Sequence, residues 1–138
     1  MRLILRTLSH DCGIYKYSPE QVAPRELYNW TTNPDVMAHT WKAAIAANKD
    51  KDMIWTVGLR GLWDYAMCPR DMSDATCGEL VSGAVANQTA WIRAADGKDA
   101  KIITYLWAEL LALFKSGHLV VPDGVKIVFT GSSACFNH

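Results

Sequence analysis

"MIWTVGL", residues 53–59, is an unbroken apolar run with β-branched residues at Ile54, Thr56 and Val57. A strand that faces water on one side alternates apolar and polar residues. A run without that alternation reads as a strand covered on both faces, the pattern of a parallel sheet. Parallel strands need crossover connections, so helical segments are expected to either side.

The flanking sequence supplies them. Upstream, Asn33 is a suitable N-cap, Pro34 fits the first helical position, and Met37, Trp41, Ala44, Ile45 and Asn48 recur at helical spacing. The charged "NKDKD" of residues 48–52 closes that helix. Further upstream, residues 2–9 form a short apolar run that predicts a first strand, followed by a long segment rich in turn residues. Downstream, Thr76 and Glu79 stand three apart in a capping-box arrangement that predicts a helix start. Leu80, Ala84, Val85, Gln88, Trp91, Ile92 and Ala95 form its apolar face, and Gly97 is placed to end it in a left-handed cap. "AKIITYLW" (100–107) predicts a third strand, "AELLALFKSG" (108–117) a short helix ending at Gly117, and "VPDGVKIVFT" (121–130) a turn and a fourth strand.

Strand and helix therefore alternate from end to end, which gives an α/β chain of parallel β/α units joined by right-handed crossovers. Two architectures fit: a small doubly wound sheet, or part of a (β/α)8 TIM-like barrel. The first strand leads into "LSHDCG" rather than a GxGxxG loop, and there is no Walker loop, which disfavours nucleotide-binding doubly wound domains. The partial barrel is the preferred reading. A closed barrel takes about 250 residues, so the 138 residues here are expected to be a single α/β domain belonging to a larger catalytic barrel. No linker, low-complexity segment or sequence repeat divides them.

Composition narrows the partners. Half of the residues are hydrophobic, a fifth are charged, and 14 acidic residues balance 14 basic ones, which argues against a polyanion-binding surface and hence against nucleic acid. The longest apolar stretch, in "AKIITYLWAELLALF", is broken by Lys101 and Glu109 and falls short of the roughly 18–20 residues that span a bilayer, so no membrane partner is expected. The N-terminal apolar run is too short for a secretory signal. Cys12, Cys68, Cys77 and Cys135 are scattered without CxxC or Cys/His spacing, so neither a structural metal nor a cofactor is expected. Cys68 and Cys77 are close enough to bridge a loop in an oxidising compartment, but spacing alone favours free thiols. Asn87-Gln88-Thr89 is a formal glycosylation sequon inside a helical pattern and is discounted.

In either architecture functional groups collect beyond the C-terminal ends of the strands. Strand one delivers His10 and Asp11, strand two Arg60 and Asp64, strand three Trp107 and Glu109, and strand four Thr130 and the tail "GSSACFNH". Each has a plain alternative. His10 suits a loop hydrogen-bonder, Arg60 and Asp64 suit a local ion pair, Glu109 suits a first-turn acid that complements the helix dipole, and Trp63 and Trp107 suit a core. The combination favours chemistry: two carboxylates from neighbouring strands, an arginine and tryptophans. Glycoside hydrolysis uses one carboxylic acid to protonate the departing oxygen and one carboxylate to activate water or attack the sugar. Arginine offers a planar fork for a carboxylate on an acidic sugar.

At these residues the chain resembles a known family. "NPDVMAHTWKAAIAANKDKDMIWTVGLRGLWDYAM", "GELVSGAVANQTAWIR" and "YLWAELLALFKSGHLVVPDGVKIVFT" look like the central barrel region of glycoside hydrolase family 115, the xylan α-glucuronidases, over about residues 8–130. The resemblance implies release of glucuronic acid or its 4-O-methyl form from xylan side chains, with inversion and without a metal or other cofactor. By that likeness Asp64 and Glu109 match catalytic-acid positions, Arg60 a substrate-binding arginine and His10 a site histidine; Trp63 and Trp107 are the candidate sugar platforms. The expected partner is a xylan-derived oligosaccharide or another uronic-acid glycan, and the full-length family is expected to be extracellular. The fourth strand departs from the pattern, running into Phe129-Thr130-Gly131-Ser132 rather than a tryptophan and an acidic or amide residue. The chain alone is therefore expected to hydrolyse weakly or not at all. The alternative expectation is a non-catalytic remnant that binds acidic glycans or a protein, with self-association through unpaired strand edges.

Overall fold

A computed structural model describes the backbone of residues 4–7, and residues 30–59 and 67–129 with their side chains. The elements run β1 (Ile4–Thr7), α1 (Pro34–Ala46), β2 (Met53–Val57), α2 (Asp74–Asp96), β3 (Lys101–Leu106), α3 (Glu109–Lys115) and β4 (Lys126–Phe129). The four strands form one open sheet in the order β1-β2-β3-β4, every pair parallel. Each strand thus lies beside its predecessor, and the order never reverses within these four strands. A doubly wound domain binds its ligand at such a reversal, so that alternative loses its defining feature here.

Right-handed crossovers between consecutive neighbours put all helices on one side. Accordingly, α2 packs against both α1 and α3 and lies over β2, while α3 lies over β3. Register separates the two faces of the sheet. Trp55 pairs with Ile102, Val57 with Thr104, and Leu106 with Phe129 on the helix side, where the Phe129 ring meets Phe114 of α3 at 6.3 Å. Trp55 reaches α2 directly, its Nε1–H donating to Asp96 Oδ2 at 2.8 Å. The opposite face carries Ile54, Thr56, Ile103, Tyr105 and Val128, and no described helix covers it.

The core lies between sheet and helices. Trp41, Trp55, Ile92 and Ala84 are fully buried, with Ile45, Val57, Val81, Val85 and Leu106 beside them. Trp41 stands between the rings of Trp30 at 5.0 Å and Trp91 at 6.4 Å, and Lys42 extends its ammonium over Trp91 at 4.7 Å from the ring centre. The predicted face of α1 holds for Met37, Trp41, Ala44 and Ile45, all buried, while Asn48 is buried but lies past the helix end at Ala46.

Three local expectations change. Helix α2 is capped not by Thr76 with Glu79 but by Ser73, whose hydroxyl accepts from the Thr76 N–H at 3.2 Å. The helix therefore starts at Asp74, which brings Cys77, Gly78, Val81 and Thr89 into the buried face and leaves Ala95 exposed. Gly97 does end α2 at positive φ (95°), but its ψ of 162° is extended rather than left-handed helical. Cys68 and Cys77 are not free thiols: they form a disulfide joining the segment before α2 to its first turn. The spacing permitted the bridge but could not select it over free thiols, because bridging depends on the direction of the Cβ vectors, not on separation in sequence. The sequon falls inside α2 with Thr89 buried, as its helical context implied.

Close packing of α2 against the chain after α3 depends on Gly78. A Cβ at that position would collide with the His118 carbonyl group. One turn on, the Ser82 hydroxyl accepts from the Val120 N–H at 2.9 Å and donates to the Gly78 carbonyl at 2.6 Å.

Candidate functional site

Of the six sequence-derived site residues, Trp107 and Glu109 lie among the described residues. His10, Arg60, Trp63 and Asp64 lie outside them, as do Thr130 and the tail. The described geometry therefore concerns the two strand ends from which these residues issue.

At the end of β2 the chain is tightly held. Gly58 follows Val57 with φ of 135°, a backbone region that L side chains rarely adopt. Its peptide groups meet the fully buried Gln88 side chain of α2: the Gly58 N–H donates to Gln88 Oε1 at 2.8 Å, and Gln88 Nε2 donates to the Gly58 carbonyl at 3.3 Å. The amide thus pairs with the backbone as a neighbouring strand would, satisfying groups that would otherwise be buried unpaired. Leu59 is buried beside it. Arg60 is the next residue in the sequence.

At the end of β3 the chain is open. Trp107 is 45% exposed and Tyr105 39%. Between Trp107 and the half-buried Glu109 stands Ala108, with φ of 49° and ψ of −125°. Among the described residues it is the one non-glycine with positive φ. Such a conformation costs of order 1–3 kcal/mol, and strained backbone of this kind concentrates at functional sites. No side chain caps α3 at Ala108; the turn is closed by the Leu110 N–H donating to the Trp107 carbonyl at 3.1 Å.

The two ends are neighbours. Val57, the last residue of β2, pairs with Thr104, and β3 runs two residues further to Leu106, so the chains leave adjacent strands on the same edge of the sheet, staggered by two residues. Sequence reasoning missed two residues of this rim. Tyr105 alternates with buried Thr104 and Leu106, so it points to the helix-free face just below Trp107; the period-two pattern of β3 carried that signal. Thr56, on the same face and register-paired with Ile103, is buried with no partner for its hydroxyl among the described residues. Gln88 was visible only as one polar member of a helical face. No group of three metal-ligating side chains gathers among the described residues, and no helix there is long and apolar enough to cross a membrane.

Comparison with known proteins gives this geometry a context. Residues 2–135 match glycosyl hydrolase family 115, and the chain belongs to that family. None of the curated proteins compared with it matches. Among solved structures it is similar to a family 115 4-O-methyl-α-glucuronidase with specificity for decorated arabinogalactans, at 14% identity and a TM-score of 0.73. That likeness covers 91% of this chain and 17% of the other, so the chain spans about a sixth of the enzyme whose fold it shares.

Proposed function

We propose that this member of glycosyl hydrolase family 115 forms part of the catalytic barrel of an α-glucuronidase-type hydrolase, and that its C-terminal rim handles a uronic acid branching from a xylan-type glycan. The observation that carries the reading is the backbone outlier at Ala108, immediately before Glu109 and just past the end of β3, the strand paired with β2. Strain is retained where the surrounding structure uses it, and here it precedes the one described carboxylate on that rim. The helix-free face supports the barrel: parallel sheets have both faces covered, and in a barrel this face turns inward against the remaining strands.

In this reading the Arg60 guanidinium grips the uronate carboxylate through two parallel hydrogen bonds. Trp63 and Trp107 stack on sugar rings, and His10 contributes a further hydrogen bond. Asp64 and Glu109 divide the chemistry. One carboxylate takes a proton from water as the water oxygen attacks the anomeric carbon from the face opposite the glycosidic bond. The other, as the acid, gives its proton to the departing oxygen as that bond breaks. Inversion by this route calls for a separation of roughly 6.5–9.5 Å between the carboxyl groups.

The test is titration of the purified chain with aldouronic acids, followed by nuclear magnetic resonance. Saturable binding is expected, weakened about tenfold or more in Arg60→Ala, as suits loss of a charge-assisted pair worth roughly 1.5–3 kcal/mol. Absence of binding overturns the reading. Release of glucuronic acid by the chain alone is expected to be weak or nil; turnover abolished by Asp64→Ala and Glu109→Ala would show that the rim is already complete. The second reading, a non-catalytic module, is favoured by the helix-free face, where Ile54, Ile103, Tyr105 and Val128 stand beside Lys101 and Lys126. It predicts glycan binding without hydrolysis that is undisturbed by loss of Glu109 but lost in Arg60→Ala.

A further inference from the structure

The pairing of Gln88 with Gly58 has a consequence beyond stability. Helix α2 runs antiparallel to β2. Asp96, near its C-terminus, holds Trp55, while Gln88, roughly 12 Å back along the helix, holds Gly58, roughly 10 Å further along the strand. Cys77 lies roughly 16 Å further still toward the N-terminus of α2, where it is bonded to Cys68. One helix therefore fixes both β2 and the segment that rejoins α2, and Gln88 is its last hold on the strand before Arg60.

The character of the Gln88 contact distinguishes it from ordinary packing. A fully buried amide is costly unless its donors and acceptor are used, and here it is used on the backbone of a single residue whose φ lies outside the range of L side chains. An apolar residue would fill the space as well but would leave the Gly58 N–H and carbonyl without partners. We infer that Gln88 is a positioning residue: by clamping both peptide groups of Gly58 it sets the direction in which the chain leaves β2, and hence where Arg60 and Asp64 can act. This rests on the uronate-binding reading above, and the experiment separates the two.

Gln88→Met keeps length and apolar volume while removing both hydrogen bonds. Leu113→Ala, in the core of α3, serves as a control that lowers stability without touching β2. Both variants are titrated with D-glucuronate, and their backbone amide resonances are assigned. Positioning predicts that Gln88→Met weakens glucuronate binding tenfold or more and displaces the resonances of residues 58–66, leaving those of α1 and β4 in place, while Leu113→Ala binds as the unaltered chain does. Equal affinity in Gln88→Met, or an equal loss in Leu113→Ala, overturns it. If the unaltered chain does not bind glucuronate, the functional reading fails and the resonances alone decide: a displacement confined to Gly58 and Leu59 sinks the positioning role, and one extending through Arg60 and Asp64 upholds it. Should Gln88→Met not fold, Gln88→Leu, which also removes both hydrogen bonds at similar volume, carries the same comparison with the same outcomes.

Discussion

At the end of β2, Gly58 is hydrogen-bonded on both sides to Gln88 and Leu59 is buried; at the end of β3, Trp107 is 45% exposed and Ala108 holds a strained conformation. The strands are adjacent and parallel, yet one exit is stabilised by polar pairing and burial while the other stores strain in the open. A rim built this way divides labour. The β2 exit contributes precision, because its direction is fixed from beneath by α2. The β3 exit contributes accessible surface, because its aromatic residues are not used up in the core.

The largest expected effect tests the fixed side. Trp55→Ala empties a fully buried site that also holds Asp96, and should cost about 3–5 kcal/mol in denaturant unfolding, against a clearly smaller loss for Trp107→Ala, whose side chain is 45% exposed. Comparable costs for the two would erase the contrast. Next is the disulfide. Its removal in Cys68→Ala/Cys77→Ala, which opens a loop with a sequence separation of 9, should lower stability by about 2–3 kcal/mol; thermal melts in the presence and absence of reductant should show the same loss in the parent chain and none in the double variant. The smallest effect sharpens the open side. Ala108→Gly should stabilise by about 1 kcal/mol, the relief of strain exceeding the entropy cost of glycine, and should weaken uronate binding if the strained turn aims Glu109. A destabilised Ala108→Gly would mean that the turn is not strained.

Most of the architecture was legible because its signals are local. Pro34 marks a helix start, the run at 53–59 marks a parallel strand, and Gly117 and Gly124 adopt the positive φ expected of terminators and turns. What escaped was relational. Ser73 and Thr76 each stand where a helix could begin, and only the folded chain shows whose hydroxyl meets an N–H. The Cys68–Cys77 bond depends on how α2 approaches the preceding segment. Gln88 looked like one of several residues on an apolar stripe, because a sequence reveals a polar side chain but not the backbone group it serves. For the site, the reading supplied residue types at strand ends. The strain at Ala108 was invisible, since alanine carries no sequence signal for positive φ.

Helix α2 contains two glycines well inside its ends, Gly78 and Gly83, and a protein engineer would wish to replace both, since glycine in a helix costs roughly 0.5–1 kcal/mol relative to alanine. Only Gly83 is open to that improvement, for a Cβ there meets nothing within 4 Å. At Gly78 the missing side chain is the spacing itself: a methyl group would press on the His118 backbone and, through it, on the segment that delivers β4. A substitution inside one helix would thus register as a defect in a strand, and the apparent weak point of α2 is what lets the outermost strand reach its place.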